Sequence, residues 1–150
     1  MLRLHHAPRS RSSRVVWLLE ELKVDCEIVY TTIPRQDGSG DEDPANPHPD
    51  KKVPALVHDN VLITESSAIV LYLTDLFPEA GLGPQPTDPK RGPYLSWLFY
   101  YSGVIEPVVT FEFAGLGENP ALIRTFRGRA EMDRRIMEAL RQGPYLLGDT

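Results

Sequence analysis

Lys52-Val53-Pro54-Ala55-Leu56 and, further on, Thr64-Glu65-Ser66-Ser67 decide the reading of this 150-residue chain. Pro54 opens a strand, where a missing N–H is tolerated only at a first residue, an edge or a bulge. An X-Pro bond there leaves room for the cis form, which folded proteins usually keep for a purpose. Residues 54–58 and 61–63 read as two strands about Asp59-Asn60, a two-residue hairpin signal. A helix follows from Glu65 to Phe77, with Ile69, Leu73, Leu76 and Phe77 on one side and Thr64 as its N-cap. The first N–H groups of that helix, at Ser66, attract carboxylate. Strand-like pairing at Val53 and an anion seat at Glu65-Ser66 together hold a small peptide.

The upstream half extends this unit. Leu2 and Leu4 alternate with Arg3 and His5 as in a strand, and Pro8 breaks the pattern. Val15, Val16, Leu18, Leu19 and Leu22 make residues 12–23 an amphipathic helix. Residues 26–32 are β-branched and aromatic, a second strand. Strand–helix–strand favours parallel pairing. Residues 34–50 form a long loop rich in Pro, Gly and acid, expected as a mobile flap or a short helical turn over a site. The order β-α-β, loop, β-β-α is a small mixed sheet with packed helices, the thioredoxin-like arrangement.

Beyond residue 79 the character changes. Residues 80–90 are a linker by composition, with Gly81, Gly83, Pro84, Pro86 and Pro89. From residue 91 only helices are predicted. Leu95, Leu98, Phe99, Ser102 and Ile105 keep helical spacing to about residue 113, and a second helix is expected from about Pro120 to Arg141. The fold class is therefore an α/β thioredoxin-like domain over 1–79, followed by an all-α domain.

Composition narrows the function. The chain is 41% hydrophobic and 25% charged, a globular balance. No apolar run approaches the roughly 20 residues of a membrane helix. One cysteine, Cys26, excludes an internal disulfide framework, and a reducing cytoplasmic setting is the default. Net charge is −5, which disfavours nucleic acid. Residues 1–80 hold 8 basic and 13 acidic side chains, yet Arg9, Arg11 and Arg14 crowd together there. A basic knot in an acidic unit suits a small anion, and a solvated helix start explains it equally well.

The turn Pro8-Arg9-Ser10-Arg11-Ser12-Ser13-Arg14 leads straight into a helix. A serine needs a base to attack, and neither a Ser-His-Asp order nor a Gly-x-Ser-x-Gly elbow stands out. A hydroxyl among cations can instead donate to a thiolate and lower the thiol's pKa from about 8.5. Capping of the helix by Ser10, Ser12 or Ser13 is the competing reading. The thiol would belong to a ligand, because Cys26 has no Cys-x-x-Cys partner and reads as a small buried hydrophobe. His5 and His6 point to opposite faces of a strand, and His48 and His58 complete no ligand pattern, so no metal is expected. Trp97, Phe99, Tyr100 and Tyr101 read as core or interface, with room for one or two in an apolar substrate pocket.

Across nearly its whole length the chain resembles the cytosolic glutathione transferases. The resemblance rests on Ser10-x-x-x-Arg14, Trp17-Leu18-Leu19-Glu20-Glu21, Lys52-Val53-Pro54-Ala55-Leu56, Glu65-Ser66-Ser67-Ala68-Ile69, Tyr72-Leu73 and Tyr145-Leu146-Leu147-Gly148-Asp149. It implies a serine-type enzyme, similar to bacterial and fungal members, that conjugates the glutathione thiolate to an electrophile. Ser10 would activate the thiol, with Ser12 as runner-up and Arg14 beside them. Val53 before the cis Pro54 would pair with the cysteinyl backbone of glutathione. Glu65 and Ser66 would hold its γ-glutamyl end, and Lys52, with Lys51 or His48, its glycine carboxylate. Arg11, Tyr100 and Tyr101 would border the second substrate. The family pattern implies a homodimer, glutathione as co-substrate and no metal. It also implies helices beyond Thr150, so residues 91–150 are expected to be a partial helical domain. Glutathione-dependent disulfide or peroxide reduction, and a non-catalytic protein-interaction module, are the alternatives. The lack of a cysteine between Pro8 and Arg14 weighs against reduction through an enzyme thiol.

Overall fold

The computed structural model describes residues 1–148; Asp149, the last residue of the closing motif, and Thr150 lie outside them. The chain divides into two compact units, Met1–Gly81 and a second that begins at Leu82.

In the first unit, β1 (Leu2–His6), β2 (Glu27–Tyr30), β3 (Ala55–His58) and β4 (Val61–Ile63) form one sheet in the order β2-β1-β3-β4. β1 and β2 are parallel, joined through α1 (Ser13–Leu22). β3 is antiparallel to both β1 and β4. The hairpin turns on Asp59 (φ 45°) and Asn60 (φ 69°), the two left-handed residues that a tight hairpin demands. The N-terminal ammonium pairs with the Asp59 carboxylate.

Period-2 and period-3.6 apolar positions meet in one core. Leu2 and Leu4 of β1 and Leu56 of β3 pack on Val15, Leu19 and Leu22 of α1 and on Ile69 and Leu73 of α2 (Ser66–Leu76). Each such side chain stabilises the fold by about 1.5–3 kcal/mol through burial. Leu76 stays partly exposed, while Phe77 packs against this core. α2 departs from expectation at its start. The residue before the helix is Glu65, not Thr64, and no side chain caps the end.

Residues 34–50 hold no helix; they are an irregular loop with single turns closed by the Gly38 and Asn46 N–H groups, braced by side chains. Asn46, buried to 1% exposure, donates from Nδ2 to the Lys52 carbonyl at 3.0 Å and accepts from the His48 N–H at 3.0 Å. Lys51 Nζ donates to the carbonyls of Asn46 (2.7 Å) and Pro44 (3.2 Å). The Thr31 hydroxyl donates to Asp43 at 2.6 Å.

The second unit holds α3 (Arg91–Tyr100), a π turn (Tyr101–Ile105), α4 (Glu106–Phe113), α5 (Pro120–Phe126) and α6 (Arg129–Leu140). The first expected helix therefore carries a π turn. Pro107 lacks the N–H that would bond the Gly103 carbonyl, and the wider turn, with the Glu106 N–H reaching Tyr101 O, absorbs the misfit. The second expected helix is two helices. Arg127 (φ 70°, ψ 162°) leaves helical geometry, and Gly128 restarts it with its N–H held by Glu131 at 2.9 Å. Apolar spacing continues across that break, so periodicity alone cannot reveal it. The core here is Tyr100, Val104, Val108 and Met132.

Candidate functional site

The register Leu4–Leu56–Ile63 aligns the C-terminal ends of β1 and β4 with the N-terminal end of β3. The segments that follow or precede those ends leave from one edge of the sheet. They are the serine turn after β1, Val53-Pro54 before β3, and Glu65-Ser66 after β4. Connections at a sheet edge are the usual place for binding residues carried on a rigid scaffold.

Val53-Pro54 is a cis bond. The β1–β3 ladder ends at His5–Ala55, so Val53 stands two residues outside it, partly exposed, with Pro54 buried between. An extended ligand can meet a backbone placed this way as another strand would. Lys52 is exposed, and its carbonyl is fixed by Asn46. Lys51 and the buried His48 serve the loop instead: Lys51 Nζ is held by two carbonyls, and His48 Nδ1 accepts from the Asp50 N–H at 3.0 Å.

Glu65 takes φ 67°, ψ 122°, outside the regions open to an L-residue. Such a conformation costs on the order of 1–3 kcal/mol and gathers at functional sites. The strain aims an exposed carboxylate beside the start of α2. The α2 ladder begins with the Ile69 N–H on the Glu65 carbonyl at 2.9 Å, so the helix presents its positive end at Ser66. Charges of both signs thus stand one residue apart, as an amino-acid-like group requires.

The serine turn is ordered by hydroxyl bonds, not by capping. α1 has no side-chain cap. Ser10 Oγ donates to the Ala7 carbonyl at 2.7 Å and lies 2.7 Å from Ser12 Oγ. Ser12 is fully buried, with Oγ also 2.7 Å from His6 Nδ1. A ligand can therefore approach partly exposed Ser10 but not Ser12. Arg35 binds the carbonyls of Pro8 (3.0 Å) and Arg9 (3.4 Å) from outside. Arg11 is exposed and Arg14 partly buried. Burial pushes His5 and His6 below the ordinary imidazole value.

In the helical unit, Tyr100 is buried, with the Arg135 guanidinium 4.1 Å from its ring centre and Trp97 edge-on at 5.4 Å. The Tyr101 hydroxyl donates to Glu106. Phe99 is exposed. Cys26 is half-buried, and burial pushes its thiol up. It lines a cleft of about 330 Å³ between α1 and β2, at the opposite end of the sheet from the three segments. Among the described residues no three His, Cys, Asp or Glu side chains group to hold a metal, and no helix is long and apolar enough to cross a membrane.

Sequence reasoning missed three residues here: Asn46, Arg35 and His6 as a partner of the serines. The Asn46-Pro47 pair is a turn signal that could have drawn attention to Asn46. Nothing local marks Arg35 or His6.

Residues 4–83 match the family model for the glutathione S-transferase N-terminal domain. That is more than half of the chain, and the chain belongs to the glutathione S-transferase family. It is 34% identical over 110 residues, 73% of this chain and 44% of the relative, to glutathione S-transferase 3 of Schizosaccharomyces pombe. The chain thus matches less than half of the length of that curated relative. Among solved structures it superposes on a glutathione transferase from Methylococcus capsulatus with a TM-score of 0.77 and 26% identity, covering 100% of this chain and 75% of that one. A sphingomonad glutathione S-transferase complexed with glutathione gives a TM-score of 0.65 at 26% identity, covering 90% of this chain and 70% of that one.

Proposed function

We propose that this protein binds glutathione at the shared sheet edge and conjugates its thiolate to an electrophile. The convergence of Val53, Glu65-Ser66 and Ser10 on one edge carries the reading. The Val53 backbone pairs with the cysteinyl residue. Glu65 meets the γ-glutamyl ammonium, and Ser66 with the α2 N-terminus meets its carboxylate. Lys52 reaches the glycine carboxylate. The sulfur then lies toward the serine turn, where Ser10 donates to it and favours the thiolate, and Arg14 adds positive potential. The bound thiolate attacks the electrophilic carbon, the new C–S bond forms, and the leaving group departs with its electron pair. Holding both reactants supplies much of the rate. The protein acts as a cytoplasmic homodimer without metal.

The test is titration of bound glutathione by thiolate absorbance. The wild-type protein is expected to lower the thiol's pKa below the free value. Ser10→Ala is expected to raise the bound value by about one unit, equivalent to a tenfold loss of thiolate at a pH below it. An unchanged value in Ser10→Ala removes Ser10 from the role.

A further inference from the structure

His6, Ser12 and Ser10 form a buried line of short contacts ending at the site, and their protons can be counted. A hydroxyl has one proton to donate and two lone pairs; a carbonyl only accepts. Ser10 Oγ lies 2.7 Å from the Ala7 carbonyl, so that contact takes the one Ser10 proton. The 2.7 Å contact between the hydroxyls of Ser10 and Ser12 must then be donated by Ser12. With the Ser12 proton spent there, the 2.7 Å contact to His6 Nδ1 must be donated by the ring. The remaining lone pairs close the count. The Ser12 N–H donates to Ser10 Oγ at 3.2 Å, and the Ala7 N–H donates to Ser12 Oγ at 3.2 Å. Ser12 Oγ also lies 3.3 Å from the Ala7 carbonyl, the longest contact of the set and the one left without a proton.

We propose that His6 is a positioning residue for the Ser10 hydroxyl. Held as the Nδ1–H tautomer, it sets every hydrogen bond of the line in one direction and leaves the Ser10 proton outside the line, on the Ala7 carbonyl. The reverse tautomer, with the proton on Nε2, makes Nδ1 an acceptor. Ser12 would then donate to His6, Ser10 would donate to Ser12, and no proton would remain for a thiolate. In the inferred direction the Ser10 proton reaches a sulfur anion by turning about the Cβ–Oγ bond off the Ala7 carbonyl, and the lone pairs that accept from Ser12 turn with it. His6 touches neither substrate; it acts through Ser12, which is why a fully buried serine lies beside the reactive one. The consequence for thiol activation rests on the reading proposed above, whereas the tautomer does not.

Two measurements test this. Long-range proton–nitrogen NMR on uniformly carbon- and nitrogen-labelled protein, with His6 assigned through its backbone connectivities, is expected to show Nδ1 protonated and Nε2 bare when the ring is neutral. A proton on Nε2 overturns the inference without any variant having to fold. Bound-glutathione thiol pKa and glutathione Kd are then compared in wild type, His6→Leu and His6→Asn. His6→Leu is expected to raise the thiol pKa by about one unit, a tenfold loss of thiolate, with Kd changed less than about threefold. His6→Asn, which offers Nδ2–H where Nδ1–H stood, is expected to keep the thiol pKa near wild type. Equal thiol pKa values in wild type and His6→Leu overturn the positioning role. So does a parallel loss of affinity in both variants, which marks a merely structural side chain. Failure of the wild-type protein to bind glutathione defeats the site reading instead and leaves the tautomer result standing.

Discussion

The sheet-containing unit and the helical unit solve the same problem with different means. The first packs eight buried side chains from two strands and two helices into one core, then orders its loops with side-chain bonds that span long stretches of sequence. The second gathers Tyr100, Val104, Val108 and Met132, adds Arg135 stacked on Tyr100, and leaves Phe99, Phe113 and Met137 more than half exposed. A precise site needs loops that are over-determined by their surroundings, and the first unit shows this around Asn46. The second unit's helices owe their limits to local signals: Asn119 accepting from the Ala121 and Leu122 N–H groups, Pro107 at the π turn, and the Gly128–Glu131 bond.

That contrast can be broken most directly through the cores. Leu73→Ala empties a fully buried position and is expected to destabilise the first unit by about 2–5 kcal/mol in urea unfolding. Met137→Ala, at a site 55% exposed, is expected to change stability by less than about 0.5 kcal/mol. The chain holds two tryptophans, Trp17 in the first unit and Trp97 in the second, so Trp97→Phe and Trp17→Phe each leave one reporter. Leu73→Ala is expected to shift the Trp17 transition more than the Trp97 transition. Coincident shifts would show the two units unfolding as one.

Asn46→Ala sharpens the point about loops. It strands the Lys52 carbonyl and the His48 N–H, at a cost of about 1–3 kcal/mol. Because the Lys52 carbonyl adjoins Val53, glutathione affinity is expected to fall in calorimetric titration while the helical unit's circular dichroism is retained. An intact affinity would detach the loop from the site.

The smallest expected effect is on pH. Burial lowers the folded pKa of His5 and His6, so below about 6.5 the unfolded chain binds protons that the folded one does not. Stability is therefore complete above that value and declines as the pH falls through it. Asp43 is also held low, first by the Thr31 hydroxyl, and adds a second loss in the carboxylate range. His5→Phe removes a buried ring whose Nδ1 has no partner and is expected to flatten the melting temperature between about pH 5 and 7. An unaltered slope would assign the sensitivity elsewhere.

Legibility followed the range of the forces. Hydrophobic periods located β1, α1 and α2, because one residue's face depends only on its neighbours. Asp59-Asn60 announced its hairpin, since a two-residue turn requires left-handed backbone at both positions. The Thr64 cap failed because the chain must turn sharply at Glu65 to enter α2, and that constraint comes from the β4 end, not from cap propensity. The π turn was signalled by Pro107, yet apolar spacing hid it. The Arg127 break was hidden in the same way.

Of the site, the residue types at Ser10, Val53-Pro54 and Glu65-Ser66 were readable because each carries its chemistry locally. Their meeting on one edge was decided by register, which aligns Leu4 with Leu56, more than fifty residues on in sequence, and Leu56 with Ile63 across the hairpin. Tertiary structure alone separated Ser10 from Ser12, by burying one hydroxyl completely and leaving the other partly open. It also joined His6 to Ser12. A hydrogen bond has a direction and a length of a few ångströms, and no pattern of residue types along a chain records either.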